Sequence, residues 1–180
     1  MDVQLVLVLE CDEKSRSDYM YIKSVLDEWY KISMSINIKI SSVFMRGKGN
    51  YKKKDVFNKI EKLQKAYMHG NTKVLFCFDT DRYEIAPADK QMLVEEQEYC
   101  KEKGYEFVWF CHDIEEVFLG KSVSKNEKTD KAKQYISNGG VKQIKIQNLQ
   151  ADDMSKGKSN LVYVLQKCLS CADSTDEYVK

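Results

Sequence analysis

The chain has a single proline and eight glycines among 180 residues, too few for long disordered linkers. No apolar run approaches the roughly 20 residues that span a bilayer, which argues against a membrane-spanning helix. The opening stretch MDVQLVLVLE has neither the basic flank nor the small-residue cleavage site of a secretory signal, so a cytoplasmic chain is expected. Cys11, Cys77, Cys100, Cys111 and Cys168 lie in or beside apolar segments, where cysteine behaves as a small hydrophobe. Cys168 and Cys171 have CxxC spacing, but no second CxxC completes a zinc set. Buried structural thiols are therefore expected.

What is present fits one α/β domain over residues 1–180, long enough to bury a substantial core. The net charge of +1 says little, but its distribution is uneven. Residues 46–65, RGKGNYKKKDVFNKIEKLQK, carry eight basic residues against two acidic ones, and residues 79–102 carry eight acidic against three basic. One surface can thus attract phosphate while another is acidic.

VQLVLVL (3–9) and KVLFCF (73–78) are continuous apolar runs of strand length, the pattern of strands covered on both faces. YEFVWFC (105–111) reads as another strand, and INIKI (36–40), running on to Phe44, alternates like an edge strand. Ile22, Val25, Leu26 and Trp29 mark a helix over 16–31, with Asp12 and Glu13 placed favourably at its start. Val56, Ile60, Leu63 and Tyr67 mark a second helix, ending near His69, read as a surface residue. Residues 89–103 form a third helix closed at Gly104, and IEEVFLG a short one for which Asp113 is an N-cap. The polar segment 121–140 reads as a surface insertion on a core of residues 3–120. The C-terminal part, 141–172, is expected to hold a fifth strand (VKQIKIQNL) and a final helix behind a Ser159 cap. Strand and helix alternate, so the expected fold is a mostly parallel sheet of four to five strands flanked by helices.

In such folds ligands bind beyond the carboxyl ends of the strands, and here those ends are acidic. Glu10 follows the first apolar run, Asp79 and Asp81 follow KVLFCF, and His112, Asp113, Glu115 and Glu116 follow the fourth strand. Carboxylates gathered on one rim repel unless a cation neutralises them or some stay protonated. Oxygen ligands in a partly open cluster suit Mg²⁺ or Mn²⁺. Acids also end strands and cap helices for purely structural reasons, so FDTD alone carries little; its combination with Glu10 and the later acids carries more. A lone histidine such as His112 is more often structural than catalytic.

The order of a strand with Glu10 in LVLVLECDEKSRSDYMYIKSVL, a strand with DxD in KVLFCFDTDRYE, and a later acidic motif in FCHDIEEVFLG resembles the Toprim fold. More closely it is similar to RloB-like and OLD-type Toprim proteins of bacterial anti-phage systems, over about residues 3–120. The loop RGKGN falls where those proteins carry a glycine-containing loop. The chain departs from the family in reading ECDEKSR where a glycine-bearing stretch is usual, and Ile114-Glu115-Glu116-Val117 where "FE" and an aromatic are usual. Either Glu115 or Glu116 can hold the family's later acidic position. The resemblance implies a Mg²⁺- or Mn²⁺-dependent phosphodiester nuclease, with Glu10, Asp79, Asp81 and Glu115 (or Glu116) as metal-holding and catalytic acids. Its substrate would be DNA or RNA, tRNA included, and a separate ATPase chain is an implied partner. Arg46, Lys48, Lys52, Lys53 and Lys54, with Lys156 and Lys158, are the candidate nucleic-acid contacts, the alternative for these lysines being a solvated surface. Strand 36–44 is a candidate for pairing across a homodimer.

Two other readings compete. The first is a non-catalytic Toprim-like module that binds a nucleotide or a partner. The second is phosphoryl transfer on another α/β scaffold. A receiver domain would need an acidic pair close behind the first strand and a lysine, usually before proline, after the last; no Lys-Pro occurs, and a dehalogenase-type DxD would follow the first strand rather than this one.

Overall fold

The computed structural model describes residues 2–30, 37–68 and 70–170; His69, Cys171 and Ile36 lie outside them. Among the described residues, strands β1 (Asp2–Leu9), β2 (Asn37–Phe44), β3 (Asn71–Asp79) and β4 (Glu106–Phe110) form one parallel sheet in the order β2-β1-β3-β4. The helices are α1 (Ser17–Trp29), α2 (Lys54–Ala66), α3 (Pro87–Lys103), α4 (Ile114–Leu119), α5 (Lys128–Ser137), α6 (Ile146–Leu149) and α7 (Leu161–Ser170). The chain is α/β and Rossmann-like. No helix among the described residues is long and apolar enough to cross a membrane.

The apolar runs become central strands because successive side chains enter two cores. Leu5, Leu7 and Leu9 of β1, with Leu75 and Cys77 of β3, pack on α1, α4, α5 and α7 through residues such as Ile22, Val25, Phe118, Ala132 and Leu165. Val6, Val8, Val74, Phe76 and Phe78 point the other way, onto Val56 and Ile60 of α2 and Cys100 of α3. Gln4 is the polar exception in β1. Fully buried, it donates from Nε2 to Ser41 Oγ (2.9 Å) and accepts from Thr72 Oγ1 (3.1 Å), tying β1 to both neighbours with its polar atoms satisfied. Cys77, Cys100, Cys111 and Cys168 are buried, as expected of structural thiols, and Cys11 is partly so.

Four expectations are corrected. Segment 121–140 is no mere surface insertion: α5 lies within it, buries Ala132, and sets Tyr135 edge-on to Tyr21 and Phe118. VKQIKIQNL is not a strand but a 3-10 turn at Gly140–Lys142 followed by α6, so among the described residues the sheet stops at four strands. α3 starts at Pro87 rather than Asp89, because the first helical turn needs no proline N–H. Asp12 precedes α1 as a turn former, its Oδ1 accepting from the N–H groups of Lys14 and Ser15 (both 2.8 Å).

The expected Asp113 cap is present, its Oδ1 accepting the Glu116 N–H (2.7 Å). At α7 the capping position falls to Asn160, whose carbonyl takes the first helical bond from Val164 N–H (3.0 Å), while Ser159, one residue earlier, accepts the Leu161 N–H through Oγ (3.1 Å). The free edge of β4 is sealed by the approach to α7. Ser159 bridges Phe110, and Asn160 accepts from Trp109 N–H and donates to Phe107 C=O, both at 2.9 Å.

Candidate functional site

From β1 the chain crosses to β2 on one side and, after α2, to β3 on the other, so the switch point lies between β1 and β3. Glu10 follows β1 and Asp79 ends β3. Glu10 Oε1 accepts the Asp79 N–H at 2.9 Å, continuing the β1–β3 pairing by a side chain. Asp79 Oδ1 in turn accepts the N–H of Ile114, the first residue of α4, at 2.9 Å. Both acids line a cavity of about 490 Å³ whose wall includes Asp18, Arg46, Lys125 and Lys128.

Burial pushes the Glu10 pKa up to about 8 against the pull of Lys48 and the Asp79 N–H. Burial, then the charges of Glu10 and Asp18, also hold Asp79 well above the usual carboxylate range. These are carboxylates whose burial and mutual charge resist ionising both at once.

The other predicted acids are dispersed. Asp81 is exposed, with a left-handed φ of 50°, and pairs with Lys48 Nζ at 3.2 Å. Lys48 is the resident cation of this rim: Nζ also donates to the Asp79 carbonyl and lies 3.7 Å from Glu96 Oε2. Glu96 is fully buried, neither of its carboxylate oxygens makes a hydrogen bond within 3.5 Å, and burial pushes its pKa up to about 8. Burial pulls the Lys48 pKa down, but Glu96, Glu10 and Asp81 outweigh this and raise it. The repulsion in DxD is thus relieved twice, because the backbone turn separates the two carboxylates and a lysine reaches the second.

Glu115 is fully buried, and its Oε2 accepts from Lys128 Nζ at 2.7 Å. Burial raises its pKa, and the Lys128 ammonium opposes this. Glu116 faces elsewhere, between His112 Nδ1 (2.8 Å) and Lys156 Nζ (3.0 Å). Of the predicted basic contacts, Arg46 lines the cavity. Lys53 and Lys54 are exposed, as is Lys52, which lies over the Tyr51 ring and 3.9 Å from Glu95. Lys158 is held by both oxygens of Asp153 (2.8 and 3.0 Å), and Lys156 by Glu116.

Known proteins offer no guide to this site. The chain matches no family model, no curated protein and no solved structure.

Three cavity residues escaped the sequence reading. Asp18 sits in the first turn of α1, where an acid reads as a partner of the helix dipole, yet its Oδ2 accepts the Cys11 N–H (3.1 Å) and its charge acts on Asp79. Lys125 and Lys128 come from the segment read as an insertion. The signal for α5 was slight, the i, i+3 spacing of Ala132 and Tyr135. Thr129 Oγ1 donates to the Ser15 carbonyl (3.0 Å), tying α5 to the far side of the cavity.

Proposed function

We propose that the chain is a Mg²⁺- or Mn²⁺-dependent phosphodiester nuclease of Toprim type acting in the cytoplasm, with its centre at Glu10 and Asp79. The observation that carries this reading is the 2.9 Å bond from the Asp79 N–H to Glu10 Oε1, which brings acids 69 positions apart to one wall of the switch-point cavity. The donor set fits a hard ion. The acids are oxygen ligands, and Mg²⁺ characteristically takes one or two carboxylates, keeps several waters, and is completed by substrate phosphate. Glu10 and Asp79 would hold it, with Asp18 beside them. Bound there, the ion supplies Lewis-acid stabilisation of charge developing on a phosphate oxygen.

The chain's own residues supply the rest. Arg46, Lys125 and Lys128 give the cavity wall three cationic groups for a phosphodiester backbone. The Asp79 N–H fixes one oxygen of Glu10 and leaves the other free to accept from an attacking water, the geometry a general base requires. Glu115 positions Lys128, and Lys48 holds the Asp79–Asp81 turn by its carbonyl and by Asp81. Assignment to anti-phage defence and a separate ATPase partner rest on the Toprim resemblance.

The test is cleavage of single- and double-stranded DNA and RNA with Mg²⁺ or Mn²⁺. Asp79→Asn and Glu10→Gln should each lower the rate at least 100-fold, on the scale of lost acid–base and charge stabilisation, while circular dichroism shows a folded chain. Full activity in the double variant would overturn the assignment. One observation favours the non-catalytic reading: Lys48 and Lys128 already balance part of the acidic charge. Calorimetric silence with both ions up to millimolar concentrations would select it.

A further inference from the structure

We infer that Glu84, Cys111 and His112 form a second metal site, for a borderline-soft divalent ion such as Zn²⁺, separate from the Glu10–Asp79 cavity. Among the described residues these are the three histidine, cysteine or carboxylate ligands whose donor atoms all lie within 4.8 Å of one another. Glu84 Oε1 is 3.0 Å from His112 Nε2 and 4.0 Å from Cys111 Sγ. A tetrahedral ion with Zn–N and Zn–O bonds near 2.0–2.1 Å and a Zn–S bond near 2.3 Å needs its ligands about 3.3–3.6 Å apart. The observed separations bracket that value, so small side-chain rotations complete the triad.

The surrounding residues prepare the ligands. Glu116 Oε2 lies 2.8 Å from His112 Nδ1, the carboxylate–histidine pairing that fixes a proton on one ring nitrogen and presents the other to a metal. Lys156 Nζ lies 3.0 Å from the second oxygen of Glu116, which holds that carboxylate in place against the imidazole. A network that places Glu116 and Lys156 away from the cavity thereby acquires a purpose.

Chemistry separates this site from the first. Thiolate and imidazole select Zn²⁺ over Mg²⁺, whereas the oxygen set at Glu10 and Asp79 does the reverse. Three protein ligands leave the fourth position for water, the stoichiometry of zinc sites that remain open. Glu84 is exposed, and His112 is partly exposed and lines a small cavity of about 140 Å³ with Asp81, Arg82 and Ser122. The ion would also join two strand-end loops, since Glu84 follows β3 while Cys111 and His112 follow β4. The Asp81 N–H already donates to the His112 carbonyl at 2.9 Å across the same gap.

The test titrates metal-free full-length chain with Zn²⁺ against a chromophoric chelator, in excess Mg²⁺ so that the oxygen site does not compete, and repeats it with Co²⁺ as an optical probe. One ion per chain should bind at micromolar concentration or tighter, and the Co²⁺ adduct should show a thiolate-to-metal charge-transfer band in the near ultraviolet. His112→Gln and Glu84→Gln, at positions open enough to keep the fold, should each weaken binding at least tenfold. Glu116→Gln should weaken it about 10- to 100-fold by releasing the imidazole. Cys111→Ser should remove the charge-transfer band. Asp79→Asn should bind Zn²⁺ as the parent does, so this site and the nuclease reading fail separately. Failure to bind at tens of micromolar, equal affinity in His112→Gln and Glu84→Gln, or a Co²⁺ adduct without the thiolate band would each overturn the inference.

Discussion

Replacing Glu10 by Gln should stabilise the metal-free chain, and only at high pH. The folded state holds the Glu10 pKa near 8, against 4.5 for an ordinary glutamate, chiefly through burial. Below pH 4.5 the carboxyl is protonated folded or unfolded, and it contributes no pH dependence. As pH rises from there to 8 the unfolded chain releases the proton first, so stability falls across this window and levels off above it. The full displacement corresponds to a ceiling of about 5 kcal/mol. Glu10 is only partly buried and lines the cavity, and screening there reduces the expected effect to about 1–3 kcal/mol. Glutamine retains the oxygen that accepts the Asp79 N–H and removes the charge. Thermal unfolding followed by circular dichroism in chelator should therefore show Glu10→Gln matching the parent at pH 4.5 and exceeding it by roughly 2–10 °C at pH 8.5. Added Mg²⁺ should raise the melting temperature of the parent and leave the variant unmoved. A variant less stable than the parent at pH 8.5 would refute the burial argument.

The resident lysine makes a second prediction. Lys48→Met should cost about 1–3 kcal/mol, less than the 3–5 typical of a broken buried pair, because Glu96 can remain protonated; adding Glu96→Gln should recover more than half in urea unfolding, and an additive double variant would contradict the pairing. At the sheet edge, Asn160→Ala should cost about 1–3 kcal/mol by stranding the Trp109 N–H and the Phe107 carbonyl. Amide exchange at Trp109 should accelerate, and an unchanged exchange rate would show that the side chain seals nothing.

The central strands were legible because burial on two faces leaves an unbroken apolar run, as in VQLVLVL and KVLFCF. Alternation misled at VKQIKIQNL, where Ile144 and Ile146 mimic a period of two but sit on the turn before α6 and on its first residue. Polarity misled at 121–140, since a helix that buries one alanine and part of a tyrosine leaves little hydrophobic signature. At the site, Glu10 and Asp79 could be placed because parallel strands end on one rim. The positions of Asp81 and Glu116 could not. They depend on the left-handed turn at Asp81 and on the choice by Glu116 of His112 and Lys156, contacts set by loop geometry rather than by spacing.

The most direct measurement is a crystal structure grown with Mn²⁺ and read by anomalous scattering. The account predicts a peak between the carboxylates of Glu10 and Asp79, facing Arg46 and Lys128. A cavity without a peak at saturating Mn²⁺, with the Asp79 N–H still bonded to Glu10, would contradict it.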